Sequence, residues 1–250
     1  MWHKELPLDF HKKSSGVSSL NFLWQQDNIY IMDNHLAAAF CWHNACNPDE
    51  SYNFMHIDRH LDFLCNYPLE AYSQIKSIKT INDYCALQYD GQPLFQWDNY
   101  IKSMQLMYPK WFSYNVFSTP RGQVDKTIQL LVPHMCIDYI EPDKLGDSLG
   151  ELFVQEDHLL YTQNKWIVNI DLDVFFNEEI IKLYDDQYIR KIASVLNENM
   201  SKIKVLTICL SPECCGRDIK DGWPNSIRAL NTFCSQIEPL KNFVFPKDYK

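Results

Sequence analysis

The chain is punctuated by short apolar runs that end in acids or histidines, each followed by a longer stretch of mixed polarity. NIYIMD (28–33), YNFMHID (52–58), KWIVNIDLD (165–173) and KVLTICLS (204–211) are the clearest. Runs this short and this continuously apolar suit buried strands, and the stretches between them carry helical spacing. HLAAAFCWHNAC reads as a helix directly after the first run. DDQYIRKIASVLNENM (185–200) sets Ile189, Ile192, Leu196 and Met200 on one helical face, with Asp185 or Asp186 as its N-cap. GWPNSIRALNTFCSQI (222–237) reads as a helix with Pro224 near its first turn. LLVPHMCID (130–138) is a further strand candidate interrupted by Pro133, 69–89 has mixed helical periodicity, and 90–118 reads as aromatic-rich and irregular. Such alternation predicts an α/β fold with a central, mostly parallel sheet covered by helices on both faces.

The 250 residues contain only seven glycines and no Ser/Gly/Pro-rich tract, so a single domain over 1–250 is expected. A net charge of −9 argues against a nucleic-acid-binding surface. Nine cysteines, an odd number without paired CxxC spacing, point to reduced thiols and a cytoplasmic setting. No stretch has signal-peptide character or approaches the ~18 apolar residues of a membrane helix.

The residues at the ends of the apolar runs carry the chemistry. His56, Asp58, His60 and Asp62 fall at alternate positions, and in an extended segment they would project to one side. His35 follows the first run, Asp171 and Asp173 end the third, and Glu213 follows the fourth. In open α/β sheets ligands bind beyond the carboxyl ends of the strands, where one sheet would bring these groups together. Taken singly, each has a bland explanation: the DLD segment as a helix cap, His35 as a helix start, Glu213 as a solvated acid. Converging carboxylates and imidazoles need a cation between them. Two imidazoles and four carboxylates, His35, Asp58, His60, Asp62, Asp171 and Asp173, form an oxygen-rich set that favours manganese or magnesium. Two such ions can share a water and lower its pKa toward neutrality. His56 precedes the set and is expected as a buried histidine behind it.

DRHLD (58–62) resembles the Asp-x-His-x-Asp motif of the ureohydrolases, the arginase and agmatinase superfamily, and DLD (171–173) resembles their second Asp-x-Asp motif. MDNHLAAAF (32–40) resembles the upstream segment that supplies a histidine ligand, and PEC (212–214) stands about where arginases place a glutamate. Within the superfamily these blocks are most like those of the peptide arginases. The resemblance implies a three-layer α/β/α arginase-like fold and a binuclear site with two Mn2+ ions. It also implies hydrolysis of arginine side chains in a ribosomally synthesised precursor peptide, giving ornithine and urea. By the same resemblance His35, Asp58, Asp62 and Asp171 hold one ion, and His60, Asp58, Asp171 and Asp173 the other. Asp62 would orient the attacking hydroxide, and Glu213 would bind the guanidinium through one or both carboxylate oxygens.

Two departures shape the expectation of substrate. Phe63 and Leu64 stand where arginases carry a pair that helps to read the free amino acid's carboxylate. The loop after Asp62 also lacks a histidine for proton transfer, which leaves His56 and His134 as candidates. Arginase or agmatinase action on a free guanidino compound is the alternative, as is a non-catalytic module that binds metal and peptide. A single-zinc deacetylase-like site is disfavoured by the presence of Asp62 and Asp173. The aromatic stretch 95–117 is either a peptide-binding wall or core.

Overall fold

The computed structural model describes residues 1–64, 67–120, 136–154, 164–177 and 179–245. Eight strands form one sheet: β1 (Trp2–Lys4), β2 (Leu23–Gln26), β3 (Ile29–Met32), β4 (Asn53–Ile57), β7 (Tyr114–Ser118), β8 (Cys136–Tyr139), β9 (Trp166–Asp171) and β10 (Ile203–Cys209). A separate hairpin pairs β5 (Gln88–Tyr89) with β6 (Gln92–Pro93). The sheet order is β1-β2-β3-β10-β9-β4-β7-β8. Every neighbouring pair from β3 across to β8 is parallel; β2 alone runs against the rest, pairing antiparallel with the edge strand β1 on one side and β3 on the other. This is the expected mostly parallel α/β architecture.

The helices are α1 (Leu36–Ala45), α2 (Leu69–Tyr72), α3 (Ile81–Cys85), α4 (Tyr100–Met107), α5 (Leu145–Val154), α6 (Asp186–Glu198) and α7 (Ile219–Cys234). They divide between the two faces of the sheet. Met55, Ile57, Val168, Ile170 and Ile208 point toward α5, α6 and α7, where they pack with Leu149, Ile189, Leu196 and Phe233. Phe54, Ile167 and Val205 point the other way, toward Ala38 and Trp42 of α1, Tyr84 of α3 and Met104 of α4. Strands apolar on both faces leave no alternation to read, so they appear in the sequence as unbroken apolar runs.

Local chemistry explains where the helices begin. Asp185 caps α6, its carboxylate accepting from the Tyr188 N–H at 2.8 Å, which contributes about 1 kcal/mol. Ile189, Ile192 and Leu196 form its buried face, whereas Met200 falls in the short turn beyond the helix end. The last helix starts earlier than its sequence suggests. Asp218 caps α7, accepting from the N–H groups of Lys220 and Asp221, so Pro224 lies inside the helix and not in its first turn. Gly222 allows this placement, because a Cβ there would lie 1.7 Å from the Pro212 carbonyl oxygen. That close approach ties α7 to the loop that carries Glu213.

Segment 90–118, expected to be irregular, holds regular secondary structure. It contributes α4 and the buried strand β7, and Phe95, Tyr100, Tyr108, Trp111, Phe112 and Phe117 are core residues. Of the strand expected at 130–138, residues 130–135 lie outside the described residues, as does His134; the remainder opens β8. Every cysteine described is a free thiol, and among the described residues no helix is long and apolar enough to cross a membrane.

Candidate metal centre

The four central strands, β3, β10, β9 and β4, bring their carboxyl ends side by side. Chain connections leave this point in opposite directions, which opens a crevice. His35 stands at the N-terminus of α1, but Asn34 does the capping, its Oδ1 accepting from the Leu36 N–H at 2.9 Å. The His35 ring is thereby free to point into the crevice. Asp171 ends β9 and begins the tight turn Leu172–Phe175 that holds Asp173.

The DRHLD segment reaches the same place by a route its spacing does not suggest. β4 stops at Ile57, the chain then bends, and Asp62 adopts a left-handed backbone conformation with φ 49°. Convergence of Asp58, His60 and Asp62 is therefore the work of a bent loop and not of strand alternation. His56, still within the strand, is buried beneath them.

His35 Nδ1 lies 3.2 Å from Asp58 Oδ2, 3.1 Å from Asp62 Oδ2 and 3.4 Å from Asp171 Oδ2. His60 Nδ1 lies 3.1 Å from Asp173 Oδ2 and 3.6 Å from Asp58 Oδ1. Two groups of potential ligands result, His35/Asp58/Asp62 and Asp58/His60/Asp173, with their ligand atoms mutually within 4.8 Å and Asp58 common to both. Asp171 stands instead with His35 and the buried Cys209. A thiol therefore lies within reach of a set that reads in the sequence as free of sulfur. Both Asp171 oxygens also receive protein donors: the Asp173 N–H at 3.1 Å, and the Ser211 hydroxyl at 2.5 Å.

The electrostatics call for cations. Asp58 Oδ2 and Asp173 Oδ2 are buried with no well-aligned hydrogen-bond donor, each facing a histidine ring nitrogen at 3.1–3.2 Å. Burial and the neighbouring Asp58 charge push the Asp62 carboxyl up to about 7. Burial, with Asp173 nearby, raises Asp171 well above the usual range, and burial with Asp58 raises Asp173. Hydrogen bonds to Asp173 and Asp58 push His60 up to about 11. For Asp58 burial acts upward, but bonds from His35 and His60 outweigh it and hold the carboxyl low. Protons here occupy positions that divalent ions would fill, and the orphaned oxygens and imidazole nitrogens fit such ions.

Behind the ligands runs a buried polar row that the sequence reading missed. His56, Asn169 and Thr207 are register partners across β4, β9 and β10. The Asn169 amide donates to His56 Nδ1 at 3.0 Å and to the Tyr100 hydroxyl at 2.9 Å, and its Oδ1 accepts from Thr207 at 2.6 Å. The Tyr100 hydroxyl donates in turn to Asp62 Oδ2 at 3.1 Å. His56 Nε2 meets the His60 carbonyl at 3.0 Å, and burial pushes its pKa down to about 4, so the ring is neutral. His56 does not line the crevice, which removes it as a proton donor to substrate. An asparagine and a threonine within otherwise apolar runs were the available signal. Arg59 steadies the other side, donating to the Asn177 carbonyl at 2.8 Å with its Nε 3.8 Å from Asp173 Oδ2.

The crevice is a cavity of about 230 Å³ whose lining includes His35, His60, Asp62, Asp171, Asp173, Ser211 and Glu213. Glu213 sits in a short turn after Ser211, another left-handed residue with φ 40°. Phe63 packs on Phe117 in the core and Leu64 is 52% exposed; neither lines the cavity. From the aromatic stretch only Trp97 does.

No protein-family model matches the chain, and no curated protein sequence matches it. Solved structures do. Helicobacter pylori arginase matches with a TM-score of 0.50 at 10% identity, over 94% of this chain and 75% of that one. The proclavaminate amidino hydrolase of Streptomyces clavuligerus gives 0.47 at 11%, over 85% of this chain and 64% of that one. Entamoeba histolytica arginase, in complex with L-ornithine, gives 0.47 at 13%, over 82% and 68%. The chain thus spans just under two thirds of the amidino hydrolase's length. On the likeness to the Helicobacter enzyme, the fold is arginase-like.

Proposed function

We propose that this protein is a manganese-dependent hydrolase that converts arginine residues of a precursor peptide to ornithine with release of urea. The observation that carries the reading is the cavity itself. Ligand groups sharing Asp58 form part of its surroundings, and Glu213 lines it beside them. His35, Asp58, Asp62 and Asp171 would hold one ion, and His60, Asp58, Asp171 and Asp173 the other. Such a pair would supply Lewis acidity and a water acidic enough to ionise near neutral pH. Glu213 would hold the guanidinium by a charge-assisted hydrogen bond and fix its central carbon over the floor of the cavity. Asp62, with Oδ2 engaged by Tyr100, keeps its other oxygen for orienting the nucleophile.

Peptidyl over free arginine is supported by the lining. Asp33, Asp98 and Glu213 line the cavity in addition to the ligand carboxylates, and no lysine or arginine does so among the described residues. A free α-carboxylate entering it would find no cationic side chain beyond the ligand imidazoles, which the metal ions would occupy. Inside a peptide that carboxylate is an amide and calls for no cationic partner. The test is mass spectrometry of an arginine-containing peptide incubated with the manganese-loaded protein, with free arginine in parallel and urea assayed in both. A loss of about 42 Da per arginine, the change for hydrolysis of a guanidine to an amine, is expected in the peptide. Urea from free arginine alone would refute the peptide reading, and urea from neither would refute the hydrolase reading.

A further inference from the structure

Glu213 does not stand free in the cavity. Its Oε1 accepts from the Ser14 hydroxyl at 2.7 Å, the Ser15 hydroxyl at 3.0 Å, the Gly16 N–H at 3.2 Å and the Ser15 N–H. Among the described residues its Oε2 has only the same Ser15 hydroxyl, at 3.1 Å, which shares its single proton between the two oxygens. Gly16 has φ +50°, a left-handed turn that brings successive N–H groups to one side, which is the form of a backbone anion nest. Here a side-chain carboxylate from the far end of the chain fills the nest.

The nest is itself pinned. The Gly16 and Ser19 carbonyls accept from the Asn34 amide at 2.9 and 3.1 Å, and Asn34 is the residue that caps α1 beside His35. The Val17 carbonyl accepts from the Trp97 N–H at 3.0 Å, and that of Lys13 from the Trp223 indole at 3.1 Å. A loop with this many fixed carbonyls is a rigid mount. None of it falls within the motif blocks that carry the resemblance.

We propose that Ser15, together with Ser14 and the Gly16 amide, is the positioning element for Glu213. It occupies Oε1 so that a guanidinium meets Oε2 alone. The inference rests on the reading that Glu213 receives the guanidinium, and it deepens that reading by making the contact single-pointed. A glutamate held in advance loses no side-chain freedom when it grips its cation, so the loop acts on affinity for the guanidinium. Ser15 touches Glu213 and acts through it.

The test is a double-mutant cycle on the full-length, manganese-loaded protein. N-acetylarginine amide is the probe, and stopped-flow quenching of Trp97 reads its binding before turnover. Trp97→Phe identifies the signal, since Trp97 lines the same cavity. S15A is expected to weaken probe binding about tenfold, as loss of a hydrogen bond to a charged group does. Ser14→Ala, at an exposed position where folding is not at risk, is expected to weaken it about threefold, because water competes for the bond there and leaves it the net worth of an ordinary one. Manganese content should be unchanged in both, and melting temperature unchanged in Ser14→Ala. In the S15A/E213Q pair, probe binding should be no weaker than in E213Q alone. Wild-type affinity in S15A, effects that multiply in the pair, or no Trp97 quench in the wild-type protein would each overturn the proposal. Urea release from the same samples decides the hydrolase reading separately: binding with the expected cycle but no urea would refute catalysis and leave the positioning role standing.

Discussion

Asn169→Leu is the perturbation that most directly tests whether the buried polar row organises the metal centre. Asn169 is fully buried, and leucine has the same branching and number of side-chain heavy atoms, so the change removes hydrogen bonds without opening a cavity. His56 Nδ1 loses its donor and has no replacement among its neighbours. Thr207 keeps an alternative, the Val168 carbonyl at 3.3 Å, and Tyr100 keeps Asp62. One buried acceptor left bare costs about 1–3 kcal/mol, and the shared bonds to Tyr100 and Thr207 bring the total to about 3 kcal/mol. In a chain of this size that lowers Tm by about 6–12 °C. Tyr100 is then free to turn away from Asp62, and outer partners of this kind are worth about 10–100-fold in metal affinity. Urea denaturation of the metal-free protein reads the first effect, and manganese titration of the variant reads the second. A variant within 0.5 kcal/mol of wild type, about the scatter of ordinary surface substitutions, and with unchanged manganese affinity would refute the reasoning.

Asp58→Asn should lose bound metal and activity together, as measured by metal analysis and urea release, because its oxygens serve both ligand groups. Glu213→Gln should retain the metal yet lower kcat/KM for peptidyl arginine by about 100-fold, as removal of a charge-assisted contact to the reacting group does. Chelation should lower the melting temperature, and restoring manganese to about 100 times its Kd should return about 2.7 kcal/mol of stability for each ion bound. For His56 the folded pKa of about 4 lies below the ordinary 6.5, so the unfolded chain takes up its proton first as pH falls. Its stabilising effect is complete above 6.5 and is lost on descending to 4. The stability difference between wild-type and His56→Asn metal-free protein should therefore shrink by about 3 kcal/mol between pH 7 and pH 4, measured by urea denaturation; a constant difference would refute it.

The elements legible in the sequence were those whose signal is local. The runs that became β3, β4, β9 and β10 are continuous because both of their faces are buried, and the start of α6 was marked by a side chain that bonds its own backbone. β7 was hidden because its aromatic and polar residues, Tyr114 to Ser118, are all buried and resemble the irregular aromatic stretch around them. The alternation of His56, Asp58, His60 and Asp62 pointed to the right place for the wrong reason, since a left-handed bend at Asp62 cannot be read from residue spacing. Ser14 to Gly16 carry no motif at all. Their partner is almost the whole chain away, and only the fold brings the two together.

Asp62 and Ser211 share a backbone conformation that glycine adopts freely and other residues resist, at a cost of about 1–2 kcal/mol each. At Ser211 the hydroxyl that needs this conformation is the one bonded to Asp171. A search for stabilised variants would be drawn to Ser211→Gly, which relieves the strain and looks harmless in a melting curve. That relief would come with loss of the hydroxyl that holds the carboxylate β9 delivers to the crevice. Around this centre thermal robustness and function pull in opposite directions, and selection by heat alone would erode the feature that makes the crevice a site.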